Sequence, residues 1–403
     1  MATTSTVAPV NYRVPLLATA AIVLGALVIG VLFSANIGLL MIVGGLLGMV
    51  LYHAAFGFTA AWRVFITERR GRGLRAQMVM LAIAVVLFFP ALGAGSLFGT
   101  EVRGFVSPIG ISVLVGAFIF GVGMQLGGGC ASGTLFTAGG GNARMLITLV
   151  FFIVGSVIGT AHFAWWQSLP AFQPVSLVNV AGVGGGIGIS LVLFAAIAVF
   201  TVIMEKRRHG HLEQAPLVDK PGAERWLSGP WPLVAGAVAL ALLNFATLAL
   251  AGRPWGITSA FALWGAKSFE LVGGDVSQWG YWQAPGNAAA LEASVWSDIT
   301  TVMNVGIMLG ALAAANLAGR FAPNFRIPLK SVLAAVIGGI MLGYGARLAF
   351  GCNIGAYFSG IASGSLHGWV WMAAAFAGNM AGVKLRPLFF DGEAGRKPVA
   401  KSC

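Results

Sequence analysis

Charge is scarce in this chain. Charged residues fill 9% of its 403 positions, 12 acidic against 24 basic, where a soluble domain carries about a quarter. A chain that poor in charge and 58% hydrophobic cannot cover a water-facing surface, which excludes a soluble globular protein. The acids are too scattered to form a carboxylate cluster, so no coupling-ion site is legible. Cysteine is scarcer still. Cys130, Cys352 and Cys403 are the whole complement, which excludes a disulfide framework, a zinc ribbon and a C-x-x-C redox pair. His53, His162 and His367 are not spaced as a metal set and read as solitary polar contacts. No P-loop is present, which argues against direct ATP use, and no cofactor is expected. The formal net charge of +12 lies between long apolar runs rather than on one amphipathic face, so it reads as a set of topology signals and not as a nucleic-acid site.

Apolar runs are what the chain has in abundance. Segments of about 20 residues, enough to cross a bilayer, fall at 16–34, 38–62, 76–97, 108–125, 144–166, 177–204, 231–250, 295–319, 328–346 and 368–386. The first run follows a lone Arg13, and Ser34-Ala35-Asn36 is a poor cleavage site, so it reads as a spanning helix and not as a signal peptide. Arginine and lysine cluster at 63–75, 206–208, 320–330 and 384–397. With both termini cytoplasmic, every cluster falls on the cytoplasmic side, as expected for a bacterial inner-membrane protein. The expected organisation is an N-terminal membrane repeat at 1–204, a cytoplasmic linker at 205–230, a C-terminal membrane repeat at 231–390 and a cytoplasmic tail at 391–403.

The division into repeats comes from two stretches, Gly121 to Gly133 (GVGMQLGGGCASG) and Gly343 to Gly355 (GYGARLAFGCNIG). They agree at Gly121/Gly343, Gly123/Gly345, Leu126/Leu348, Gly129/Gly351, Cys130/Cys352 and Gly133/Gly355, always 222 positions apart. Glycine matches alone would be weak in a glycine-rich chain, but two of three cysteines also fall in phase. The segments leading into the two cysteines run in opposite directions across the membrane, so the repeats are inverted. Secondary transporters with inverted repeats form their substrate site where broken helices meet near the midplane. The expected fold is therefore all-α and polytopic, with broken or re-entrant helices.

A run such as Gly127-Gly128-Gly129 cannot continue as a stable helix through lipid. The chain should break there and resume as short pieces at 131–138 and 353–362, whose free N–H groups point back at Cys130 and Cys352 and favour an anion. The expected path residues are Cys130, Cys352, Gly129, Gly133, Gly351, Gly355, Gln125, Arg347 and Asn353. Arg347 either counters a bound anion or reaches an interface, and its counterpart Gln125 is neutral. Taken singly, a buried cysteine is ordinarily a small hydrophobe and a membrane glycine ordinarily serves packing; the phase match favours a site. Lys267 and Glu270 are expected to pair in an interfacial stretch at 256–272. Asn244, Asn304, Asn316 and Asn379 are expected to bond between helices. Trp165, Trp166, Trp279, Trp282, Trp369 and Trp371 are expected in interfacial belts.

Several stretches resemble the YeeE/YedE sulfur-transport membrane proteins: Gly127 to Gly133, Gly345 to Ala356, Gly252 to Lys267 (GRPWGITSAFALWGAK) and, more loosely, Gly44 to Leu51. The resemblance implies an hourglass-like path in which cysteines near the waist hand thiosulfate along by S–H···S contacts, and it places Cys130 and Cys352 among those cysteines. It also implies a link to a TusA-like cytoplasmic sulfur carrier, for which Cys403 would be one acceptor. Thiosulfate-importing members carry a further cysteine in the stretch that matches Tyr52 to Gly57. Here Gly57 takes its place, which widens the expected cargo to selenium and other sulfur species. Two alternatives stand beside a non-enzymatic permease for a small sulfur-containing anion: a membrane thiol oxidoreductase, and a soft-metal permease using the cysteines with Met124 and Met341.

Overall fold

A computed structural model of the chain describes residues 12–214 and 222–390. The tail with Cys403 and the middle of the expected linker lie outside the described residues. The long helices are Arg13–Leu32, Ala35–His53, Arg72–Ala94, Ile111–Gly127, Ala143–Ala161, Leu177–His209, Leu233–Ala251, Ile299–Leu317, Leu329–Leu348 and Leu366–Leu385. Among the described residues nine stretches are long and apolar enough to cross a membrane. The only strands among them are two short pairs, Ser96–Leu97 with Thr100–Glu101 and Ile109–Gly110 with Ala171–Phe172. The chain is an all-α, multi-pass integral membrane protein. Its exposed valines, such as Val31, Val180 and Val192, belong against lipid, and its helices keep their backbone groups paired where no water can reach.

Reciprocal packing organises the centre. Leu329–Leu348 lies along Ile111–Gly127; Ala143–Ala161 packs on the first of these and Leu366–Leu385 on the second. Close approach depends on glycine at matched positions. A Cβ on Gly121 would run into the Ala375 carbonyl, and one on Gly343 into the Phe152 carbonyl, so these pairs admit no side chain. The outer layer is reciprocal too. Arg13–Leu32 and Ala35–His53 pack on Ile299–Leu317, while Leu177–His209 and Leu233–Ala251 pack on Arg72–Ala94.

Among the described residues four helices stop and resume after a short loop, two more than the cysteine motifs announce, and Leu177–His209 is kinked at Gly182. Ala35–His53 turns at Ala54 to Gly57 and resumes as Phe58–Glu68. The expected single segment at 38–62 is therefore corrected to two helices: Ala55 has φ of 46° and the Gly57 N–H bonds the Ala55 carbonyl at 2.8 Å, a tight turn that no helix can absorb. Leu233–Ala251 ends at Gly252 and resumes as Thr258–Leu271. The remaining two breaks precede Cys130 and Cys352.

Other expectations are corrected by packing. Lys267 and Glu270 do not form an ion pair among the described residues, because the Lys267 Nζ donates to the Leu291 carbonyl at 2.6 Å, near the end of the following helix Pro285–Glu292. Trp371 and Trp282 are buried, not belted: Trp371 sits against Phe120 and stacks on Tyr357, and Trp282 donates to Thr160. Asn316 bonds its own helix at Leu312. The other asparagines do bridge elements: Asn244 joins Ser359 to the Trp255 backbone, Asn304 holds the Ile257 carbonyl and Asn379 accepts from Gln125.

Candidate thiol site at the helix breaks

Ile111–Gly127 stops at Gly128, whose φ of 92° is left-handed and suits glycine. Its last carbonyls, left without helical partners, are taken up by cations and a hydroxyl. Arg386 donates to the Gln125 carbonyl at 2.7 Å, Arg144 to that of Leu126 at 2.5 Å and Thr148 to that of Gly127 at 3.2 Å. Positive charge at a helix C-terminus also complements its dipole. The chain then resumes as Ala131–Gly139, for which Cys130 is the N-cap. The Gly133 N–H points at the Cys130 Sγ at 3.5 Å, and Ser132 Oγ lies 3.3 Å from the same sulfur.

The second break repeats this arrangement with tighter backbone. Phe350 and Gly351 have φ of 55° and 144°, and Cys352 caps the π-helical turn Asn353–Phe358, its Sγ accepting from the Ile354 N–H at 3.4 Å. The widened turn follows from the Cys352 carbonyl, which accepts from both Ala356 at 2.8 Å and Tyr357 at 3.3 Å. π-turns of this kind are frequent at functional sites. Each thiol is thus the acceptor for its own half-helix, a place usually held by serine, threonine, aspartate or asparagine. The two half-helices pack on each other.

Both cysteines are buried and free. Gly129 and Gly351 precede them and abut the first turn of each half-helix, where an added Cβ would come within 3.1 Å of the Thr134 nitrogen and 2.8 Å of the Ala356 nitrogen. Gly133 and Gly355 behave differently. Beside Gly133 a Cβ would meet only the Cys130 sulfur, at 3.6 Å, and beside Gly355 it would meet nothing within 4 Å although Gly355 is buried. Small internal space therefore adjoins the thiols. Asn353 is fully buried, and neither its Nδ2 nor its Oδ1 has a partner. An amide left so costs about 1–3 kcal/mol per group, and this one follows directly on Cys352.

Gln125 and Arg347 stand farther back along their helices. Gln125 donates to Asn379 at 2.5 Å and to the Thr59 carbonyl at 3.3 Å. Arg347 is 7% exposed and donates to the Tyr281 hydroxyl at 2.8 Å and the Thr258 hydroxyl at 2.7 Å. It is enclosed by protein on its helix rather than laid on the surface. No ion pair among the described residues includes Arg347, and its Nε is unpartnered. Among the described residues no group of histidine, cysteine and carboxylate could hold a metal, and the Met124 sulfur is occupied by Asn379 at 3.4 Å.

Two cavities open on the other pair of breaks. One of about 170 Å³ is lined by Gly57, Gln77, Arg70, Arg72 and Glu213, among others; the second, about 420 Å³, by Glu101, Arg103, Phe105, Gly252 and Arg253. Neither of these two cavities is lined by a thiol. Thr59, Thr258, Gln77 and Tyr357 are site elements that the sequence reading missed. The one signal for the threonines is Gly57-Phe58-Thr59 echoed in Gly256-Ile257-Thr258, too short to detect without the packing.

The chain is similar to a probable transporter YedE of Escherichia coli, 34% identical over 168 residues, which is 41% of this chain and 40% of the relative; the match thus spans about two fifths of that protein's length. It is also similar, over nearly the full length of the relative, to the thiosulfate transporter TsuA of Spirochaeta thermophila, 27% identical over 84% of this chain and 96% of the other. The Escherichia coli thiosulfate transporter TsuA is 24% identical over 84% of this chain and 91% of its own length. The two break motifs, the thiols that cap them and the threonine breaks behind all fall within residues 53–381, which match the sulphur transport family, and the chain belongs to that family.

Proposed function

We propose that the chain is a permease for a small sulfur-containing anion, thiosulfate foremost, which passes the waist by contact with the Cys130 and Cys352 thiols. One observation carries this reading: a buried, wholly unpartnered Asn353 amide beside the Cys352 thiol, with open space at Gly355. The substrate named for the two TsuA relatives supports the cargo. A thiol donates weakly and its sulfur is polarizable, which suits the terminal sulfur of thiosulfate. The sulfonate oxygens suit the Asn353 amide and the N–H groups of the half-helix ends. Arg347, with no carboxylate to neutralise it, supplies positive potential from its place on Tyr281 and Thr258. Weak contacts in series allow the anion to leave as readily as it enters, which one strong lysine site would prevent.

The positive clusters favour an inner-membrane protein with both termini in the cytoplasm. The reciprocal packing supports inverted repeats, and it favours a boundary between Ala161 and Leu177 over one at 205–230, because Leu177–His209 packs as the counterpart of Arg13–Leu32. Release on the cytoplasmic side to a TusA-like carrier fits this orientation. The test is uptake of labelled thiosulfate by vesicles containing the purified protein. Saturable uptake is expected, abolished in Cys130→Ala and in Cys352→Ala at unchanged protein level. Wild-type uptake by the double variant would end the proposal.

A further inference from the structure

The cavity of about 170 Å³ at the Gly57 break holds polar groups that the thiol path does not use. Gln77 is 1% exposed and lines it. Its Oε1 accepts from the Trp62 Nε1 at 2.9 Å and from the Tyr357 hydroxyl at 3.4 Å. An indole N–H can only donate, so the carboxamide is locked with its oxygen toward those rings and its Nε2 on the cavity side, where no partner meets it. The first turn of Phe58–Glu68 opens at the same place: Gly57 is its N-cap and offers no side chain to the free N–H groups. Arg70 and Arg72 complete the wall. Arg70 is 3.9 Å from Glu205, whereas Arg72 has no acidic partner among the described residues. Glu213 also lines the cavity, but with Glu205 it stands against three guanidinium groups, those of Arg70, Arg72 and Arg75, so positive charge is in excess by one.

From this we infer an oxyanion-binding vestibule at the Gly57 break, in which the Gln77 amide, the N-terminal turn of Phe58–Glu68 and Arg72 hold a tetrahedral sulfur oxyanion through its oxygens. The inference rests on the permease reading for its cargo, and its chemistry differs from that of the waist. Oxygen is recognised here by N–H donors, so the vestibule does not distinguish thiosulfate from sulfate, and no thiol is needed where Gly57 stands. Tyr357, five residues after Cys352, touches both regions through its backbone bond to Cys352 and its hydroxyl bond to Gln77. An anion leaving the second thiol would meet this donor set next.

The test separates vestibule from waist. Full-length protein carrying Cys130→Ser and Cys352→Ser is purified in detergent, and its melting temperature is followed against sulfate and against thiosulfate at constant ionic strength with chloride. Both anions should stabilise it, with the same half-maximal concentration. Adding Gln77→Glu keeps an acceptor for Trp62 and Tyr357 but removes the N–H donors, and should raise that concentration about tenfold or more; Arg72→Ala should act in the same direction. A thiol-free variant that no oxyanion stabilises, or a Gln77→Glu response equal to its parent's, overturns the vestibule. Sulfate stabilisation that persists in a protein whose vesicles take up no sulfur anion would support the vestibule while defeating the permease.

Discussion

Gln125 and Arg347, 222 positions apart, hold equivalent stations and differ in charge. Each projects from the last turns of a central helix to a threonine at the neighbouring break: Gln125 to the Thr59 carbonyl at 3.3 Å, Arg347 to the Thr258 hydroxyl at 2.7 Å. The geometry is near-symmetric and the electrostatics are not. A guanidinium buried without a carboxylate costs several kcal/mol, and an arriving anion offsets part of that cost.

Arg347→Gln copies the residue of the other half and separates the two consequences by sign. The empty protein should melt a few degrees higher, because a buried unpaired charge is gone. The thiosulfate concentration for half-maximal uptake should rise about tenfold. A variant that melts lower and transports normally would show Arg347 to be a structural tie between Tyr281 and Thr258 only.

Cys130→Ser and Cys352→Ser test whether the thiols are caps or contacts. Serine is the better N-cap, so each variant should fold with stability unchanged or raised by a few tenths of a kcal/mol. Uptake should nevertheless fall to background, since a hydroxyl lacks the polarizable sulfur. Transport preserved in both serine variants would reduce the cysteines to capping residues.

The cysteine-bearing breaks were legible because glycine runs and paired thiols mark them in the chain itself. The two threonine breaks were not. One places its left-handed turn on Ala55, an unremarkable alanine in a helical-looking run, and the other is signalled by a single Gly252. Periodicity cannot find a break that one residue imposes. Arg347 was visible, but its partners Tyr281 and Thr258 arrive from separate elements, so only packing decides between anchoring a helix end and facing the membrane surface. Trp371 illustrates the reverse error: the belt rule fits Trp165, which is exposed, and fails for a tryptophan stacked on Tyr357 in the core.

Glu205 sits at the far end of Leu177–His209 and fastens the rim of the vestibule. Fully buried, it accepts from Arg75 at 2.7 Å, the Gly71 N–H at 3.1 Å and the Glu213 N–H at 2.7 Å. Glu205→Gln removes the charge and leaves Arg75 without its partner. Because the Arg75 side chain is 21% exposed, water recovers part of the loss, and the expected destabilisation is about 1–3 kcal/mol rather than that of a wholly buried pair. Thermal unfolding in detergent reads this directly, and trypsin should cut faster at Lys206 to Arg208. An unchanged melting temperature would remove Glu205 as the clasp.

Gly57→Cys asks whether the third thiol of other family members is compatible with this vestibule. Gly57 has φ of −105°, ordinary for any residue. Its added Cβ would meet Ala60 at 3.7 Å and the Ala55 carbonyl at 3.9 Å, both normal contacts, so the variant should fold with wild-type stability. The new thiol would face the cavity, whereas Cys130 and Cys352 are buried away from both cavities. A bulky, membrane-impermeant maleimide applied to the cytoplasmic face should therefore label Gly57→Cys and leave the native cysteines of 12–390 unlabelled, once Cys403 is replaced by serine. Labelling should block thiosulfate uptake in the variant and not in its parent, because the adduct fills a cavity of about 170 Å³ that the anion must cross. Uptake that survives complete labelling would mean that the anion leaves by another route, and the Gly57 break would then be a hinge in the helix rather than a station on the path.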